Sequence, residues 1–145
     1  MHYDGSFVVA SGVTEAYEFA TDPARVAVIF PDVSDIVVKD AEHFTLRTKV
    51  GISQIKGVMD VKCTIIRKIP RTSVKLKLSA SGLNSAVDME SAFSFEDAGG
   101  GRTLVKWAVD VVVAGLISSL GSRLTESVAK KYISQVIESI GRELS

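Results

Sequence analysis

A chain of 145 residues that is 46% apolar and 23% charged has the size and composition of one globular domain, residues 1–145. Its formal net charge of zero argues against a nucleic-acid-binding protein, which usually carries a large positive charge. A single cysteine excludes an internal disulfide framework. The polar N-terminus lacks the basic and apolar regions of a signal peptide, so we expect a cytoplasmic protein.

The first part of the chain predicts one strand and two short helices. Residues 6–10 fit a strand, and apolar residues at helical spacing predict a helix over Val13–Ala20. Asp22 suits the N-cap and Pro23 the first turn of a second helix over residues 24–29.

From residue 33 onward the apolar residues recur at every second position, which predicts strands. The alternating segments are residues 36–38, 44–50, 59–65, 74–80, 87–95 and 105–111. Short turns join them, at residues 51–54, 70–72, 82–85 and 99–101. Short polar turns between such strands are typical of an antiparallel meander. Gly57 is in a position to introduce a bend.

After a break over residues 115–121, helical spacing predicts one long amphipathic helix with its apolar face turned inward. Its stripe consists of Leu120, Leu124, Val128, Tyr132, Val136 and Ile140. The sheet must bury its apolar face, and this helix is the natural cover, which makes the fold class α+β. A long curved sheet around a helix leaves space between them, so we expect a ligand cavity, with a filled core as the alternative.

The predicted cavity wall is largely apolar, so it would bind a hydrophobic small molecule by burial, with few hydrogen bonds. Thr48 and Ser91 are the polar residues expected to face inward. The candidate ligand-binding residues are Phe30, Phe44, Met59, Cys63, Leu76, Met89, Ser91, Phe93, Trp107, Leu120, Leu124, Val128 and Tyr132.

Basic residues are concentrated on the predicted outer face of the sheet. Nine basic residues and one acid, Asp60, lie between positions 47 and 77, against eight basic and sixteen acidic residues elsewhere. The candidate docking residues are Arg47, Lys49, Lys62, Lys75 and Lys77. An anionic membrane or an acidic protein patch would suit them, and a solvated surface is the alternative. Nucleic acid is disfavoured because the face lacks exposed aromatic residues for stacking.

The sequence offers little for catalysis. His2 and His43 are far apart, and no metal-binding spacing is present, so we predict no metal and no cofactor. Cys63 falls on the apolar side of its strand, as a buried structural cysteine would. We therefore predict a protein that is not an enzyme and assign no catalytic residue.

Several short segments, distributed along the whole chain, resemble the CoxG family of carbon monoxide dehydrogenase subunits, within the START/Bet v1-like (SRPBCC) superfamily. The matching segments are residues 4–7, 21–27, 30–33, 49–53, 56–57, 101–107, 113–117 and 120–124. Asp32 is a departure, because the family usually has glycine after this proline.

The resemblance implies a helix-grip fold, a seven-stranded sheet wrapped around the C-terminal helix with a cavity between them. It also implies a cytoplasmic accessory protein of molybdenum-containing dehydrogenases, concerned with membrane recruitment or with a lipophilic carrier such as a quinone. Longer members continue into a hydrophobic anchor, so a chain ending at Ser145 would attach to the membrane only peripherally.

Two alternatives stay open. Cyclases and aromatases of the superfamily use polar groups in the cavity, for which Tyr17, Ser91 and Tyr132 are the candidates. An assembly chaperone with a filled core would bind no ligand at all. The oligomeric state and the identity of the ligand do not follow from the sequence.

Overall fold

The computed structural model describes residues 1–145 and contains seven strands and three α-helices. The elements are β1 His2–Val9, α1 Val13–Ala20, α2 Pro23–Ala27, β2 Val33–Val38, β3 His43–Ile52, β4 Ile55–Ile69, β5 Ser73–Gly82, β6 Ser85–Gly99, β7 Arg102–Gly115 and α3 Ser122–Glu143. A short 3-10 helix, Ser118–Leu120, precedes α3. The predicted order of elements is confirmed.

All seven strands form one antiparallel sheet in the order β1-β7-β6-β5-β4-β3-β2. Strands β2 to β7 are a meander, and β1 lies beside β7, where Phe7 pairs with Val105. The sheet curves so that its apolar face is concave and α3 lies on the concave side. The predicted fold class, a curved seven-stranded antiparallel sheet with a C-terminal helix, is therefore confirmed.

Two of the hairpin loops are shorter than predicted. The strands continue through Gly51 and Gly82, and only Ser53–Gln54 and Leu83–Asn84 remain as loops. Leu83 and Asn84 both have positive φ, 54° and 51°, which is the geometry of two-residue hairpin turns. Such turns match the twist of the flanking strands, so the hydrogen-bonded ladder extends up to the loop.

The N-terminal strand is longer than predicted, and the second helix is shorter. β1 begins at His2, because its polar first half pairs with β7. α2 ends at Ala27, two residues before the predicted end. Its predicted start is confirmed, since the Asp22 side chain accepts a hydrogen bond of 3.1 Å from the backbone N–H of Ala24.

Helix α3 is held at its C-terminal end. Ile140 and Leu144 are buried, and the Ser11 hydroxyl donates a hydrogen bond of 2.8 Å to the Leu144 carbonyl oxygen. Thr103 Oγ1 in turn donates to the Ser11 carbonyl oxygen at 2.8 Å. The apolar stripe of the preceding turns is only half-buried, so this part of the helix does not pack closely on the sheet. None of the helices combines the length and apolar composition needed to cross a bilayer.

Candidate ligand-binding site

A cavity of about 300 Å³ lies between the concave face of the sheet and the first half of α3. Strands β3 to β7 supply its apolar wall, and α3 covers it. The apolar lining includes Val50, Ile52, Met59, Val61, Leu78, Ala80, Val87, Met89, Val111, Val113, Ile117, Val128, Ala129 and Ile133. A cavity of this volume is at the lower end of the range for small-molecule sites.

A second cavity of about 80 Å³ lies further toward the C-terminal end of α3 and is almost entirely apolar. Leu78, Met89, Tyr132 and Ile133 line both cavities, so the two adjoin along this shared wall. The arrangement therefore offers one larger chamber with a narrow apolar extension.

Ten of the thirteen predicted ligand-binding residues line one or both cavities. Met59 and Val128 line the larger one, Met89 and Tyr132 line both, and the smaller one is lined by Phe30, Cys63, Leu76, Ser91, Phe93 and Trp107. Strand alternation identified most of them, because one face of every strand points into the same space. Contact with a ligand remains a prediction for all of them.

Phe44, Leu120 and Leu124 lie outside both cavities. Phe44 is 1% exposed and packs beside Phe30, with ring centroids 6.4 Å apart, so it fills the core. Leu120 belongs to the 3-10 helix, and Leu124 lies in the first turn of α3. Their helical spacing assigns them to the apolar stripe, but it does not show where along the helix the space opens.

The larger cavity also has polar lining that the sequence did not reveal. These residues are Asp32, Lys49, Thr125, Lys131 and Gln135. Lys131 and Gln135 are four residues apart, hence on one flank of α3, and that spacing is the only sequence signal for them. Asp32 follows α2 in a loop, and its approach to α3 is decided by tertiary packing.

The polar groups inside the cavities are few. Thr48 Oγ1 donates a hydrogen bond of 3.0 Å to the Pro31 carbonyl oxygen, and Ser91 Oγ makes a long one of 3.5 Å to the carbonyl of Leu76. The Tyr132 hydroxyl has no hydrogen-bond partner in the protein. Burial raises the pKa of Tyr132, and the nearby Cys63 and Asp32 act in the same direction, so the phenol stays neutral at physiological pH.

Two candidates for chemistry have structural explanations. Burial raises the pKa of Cys63 to about 12, so the thiol is neutral and unreactive at physiological pH. Tyr17 lies outside both cavities and packs edge-on against Phe95, with ring centroids 6.3 Å apart. No three His, Cys, Asp or Glu side chains are grouped so that they could hold a metal ion. Instead, His2 hydrogen-bonds Asp110 at 2.7 Å and Asp4 at 3.0 Å.

The outer face of the sheet is divided by charge. The expectation of a uniformly cationic face is wrong, because the cations cover only β3 to β5. Cross-strand pairing joins Lys77 to Glu90 and Glu90 to Asp110, so the acids of β6 and β7 lie on this same face. The face therefore has a basic half and an acidic half.

The five predicted docking residues differ in their partners. Arg47 Nε contacts Asp60 at 2.9 Å, and another guanidinium nitrogen of Arg47 lies 3.7 Å from Asp35. Lys75 lies 4.0 Å from Glu90. Lys49, Lys62 and Lys77 are exposed and form no ion pair. These three lysines are thus the cations available to a partner.

A scan against protein-family models matches residues 5–145 to CoxG, a family described as a carbon monoxide dehydrogenase subunit. The match covers nearly the whole chain and agrees with the resemblance seen in the sequence. No curated protein matches the sequence.

Solved structures share the fold at low sequence identity. A conserved protein from Geobacillus kaustophilus is 20% identical, with a TM-score of 0.88 over 99% of this chain and 95% of that one. A START superfamily protein from Mycobacterium smegmatis is 11% identical, with a TM-score of 0.71 over 99% and 96%. The Zhui aromatase/cyclase from Streptomyces sp. R1128 is 16% identical, with a TM-score of 0.69 over 99% and 93%. The chain therefore has a START-like fold.

Proposed function

The chain belongs to the CoxG family of carbon monoxide dehydrogenase subunits, and from this premise we propose that it is a non-enzymatic accessory protein carrying one hydrophobic small molecule. The proposed ligand is a lipid or a quinone. The observation that carries the proposal is the space between the sheet and α3, with its apolar walls. Each Å² of apolar ligand surface removed from water there would contribute roughly 25 cal/mol.

The form of α3 supports carriage of a ligand. The helix is fixed at Ile140 and Leu144, while the turns over the larger cavity are only half-buried. A half-buried apolar stripe gains stability when an apolar ligand fills the space beneath it. Met59 and Met89 in the wall have flexible side chains, which adapt to ligands of different shape.

The proposed partner is a carbon monoxide dehydrogenase-type enzyme containing molybdenum, as the family description suggests. The basic half of the outer face, with Lys49, Lys62 and Lys77, supports docking to an acidic protein patch or to an anionic membrane. Recruitment would then take place at the inner face of the membrane, by a peripheral contact of a cytoplasmic protein.

Native mass spectrometry of the protein purified from its own source, followed by organic extraction, tests the proposal. We expect a discrete apolar mass that leaves on extraction and is regained on incubation with a quinone or a lipid. A protein that stays ligand-free after incubation with both would contradict carriage and would favour an assembly role without a ligand.

A second candidate function is catalysis of the cyclase or aromatase type. The observation that favours it is the Tyr132 hydroxyl, which faces both cavities without a partner in the protein. A neutral phenol at this position is able to donate a hydrogen bond to a ligand carbonyl. The variant Tyr132→Phe separates the two functions, since an enzyme would bind its substrate but turn it over slowly, whereas a carrier would bind and release unchanged ligand.

A further inference from the structure

The larger cavity has a charged edge, from which we propose that the protein prefers an amphiphile with an anionic head group and an apolar tail. This inference rests on the carrier function proposed above and specifies the class of its ligand. The head would bind at the cavity edge between Lys49 and Lys131, and the tail would lie along the inner wall.

The two lysines come from different elements that border the same space. Lys49 lies on β3 and Lys131 on α3, and both line the larger cavity while remaining exposed to solvent. Neither ammonium forms an ion pair with the protein. Two unpaired cations at one opening suit a carboxylate or a phosphate, which accepts hydrogen bonds from several donors at once.

Asp32 is the one carboxylate in the lining, and it lowers the positive charge at this edge without cancelling it. It too forms no ion pair. Gln135, on the same flank of α3 as Lys131, offers neutral amide donors. An anion at this edge would therefore meet two cations and an amide against one acid.

The tail has a continuous apolar path. From the edge, the wall leads past Met59 and Val61 to Leu78 and Met89, which also line the smaller cavity. Fifteen of the sixteen residues around the smaller cavity are hydrophobic, so a charged head would be strongly disfavoured there. Charge at one end and apolar surface at the other therefore set the direction in which an amphiphile enters.

The test compares three ligands with the same alkyl tail: laurate, dodecyl phosphate and 1-dodecanol. Calorimetric affinities below the micelle-forming concentration are measured for the full chain and for the double variant Lys49→Gln/Lys131→Gln. We expect the double variant to lose about tenfold in affinity for the better of the two anions while its affinity for 1-dodecanol is unchanged. Added salt should weaken the anion in the same selective way.

The control is Lys62→Gln/Lys77→Gln, which removes the same charge from the outer face, outside both cavities. It should leave all three affinities unchanged. The anion that loses more in the cavity-edge variant identifies the head group as carboxylate or phosphate.

An equal loss for the anions and the alcohol, or no loss for either anion, would overturn the inference while leaving the carrier function standing. If none of the three ligands binds but a quinone does, the inference is likewise wrong and the carrier function stands. Failure of the three ligands and of a quinone to bind the folded protein would overturn both.

Discussion

The hydroxyl of Ser11 donates a hydrogen bond of 2.8 Å to the carbonyl oxygen of Leu144, joining the loop after β1 to the residue that follows α3. Leu144 itself is buried. This contact fixes the C-terminal end of α3, while the cavity occupies the space under its earlier turns. Closure of the cavity over a ligand therefore depends on a helix held firmly at one end.

We expect Ser11→Ala to lower the free energy of unfolding by about 1 kcal/mol, because it removes one hydrogen bond and leaves a partly buried carbonyl unpaired. Urea denaturation measures the change. Ser139→Ala is the control, since the Ser139 hydroxyl bonds only within α3, to Gln135, and its loss should cost less. Equal effects of the two variants would show that the Ser11 contact does not anchor the helix.

We expect Met89→Trp to reduce ligand capture without unfolding the protein, because Met89 lines both cavities and the larger indole would occupy their shared wall. Ligand recovery in native mass spectra checks this, with circular dichroism to monitor the fold. Val112→Trp adds the same side chain at a residue that is 65% exposed, and should leave capture intact. Undiminished capture by folded Met89→Trp would argue against this site.

The Cys63 thiol should react very slowly with iodoacetamide at pH 8 in the folded protein. With a pKa of about 12, only about one thiol in ten thousand is the reactive thiolate at that pH. Mass spectrometry follows the labelling, and the urea-unfolded chain is the control that should react quickly. Rapid labelling of the folded protein would mean that the cysteine is accessible and that its proposed burial in the wall is wrong.

His2 should titrate above its ordinary pKa of 6.5, because hydrogen bonds from the ring to Asp110 and then to Asp4 favour the protonated form. The sign follows from the raised pKa. The stabilisation is fully present below pH 6.5 and is lost as the pH rises through the folded-state pKa. An NMR titration of the ring measures the midpoint, and Asp110→Asn should lower it. A midpoint at or below 6.5 in the unmodified protein would contradict this account of the β1 edge.

We expect Lys62→Glu/Lys77→Glu to weaken binding to anionic vesicles at low salt, because both lysines are exposed and form no ion pair. Vesicle co-sedimentation measures the loss. Arg102→Glu/Lys106→Glu is the matched control, with the same change in net charge on β7. If both variants lose binding equally, net charge rather than the basic half of the outer face is responsible.

The strands and their inward residues could be predicted from the sequence because the evidence is local. In β5, for example, Val74, Leu76, Leu78 and Ala80 alternate with polar residues, and all four are buried. A side chain's face on a strand follows from its parity alone. The same logic gave the apolar face of α3 and the cap at Asp22.

Other features required the tertiary structure, because they depend on distances between elements that are remote in the chain. Leu124 and Tyr132 belong to one helical stripe, yet only Tyr132 lines a cavity. Arg47 has no visible partner in its own strand, but pairing of β3 with β4 brings Asp60 to 2.9 Å. Similarly, Lys49 and Lys131 border one opening only because α3 crosses beside β3. Periodicity assigns a residue to a face, whereas the separation of sheet and helix decides whether that face meets packed core, open space or an opposite charge.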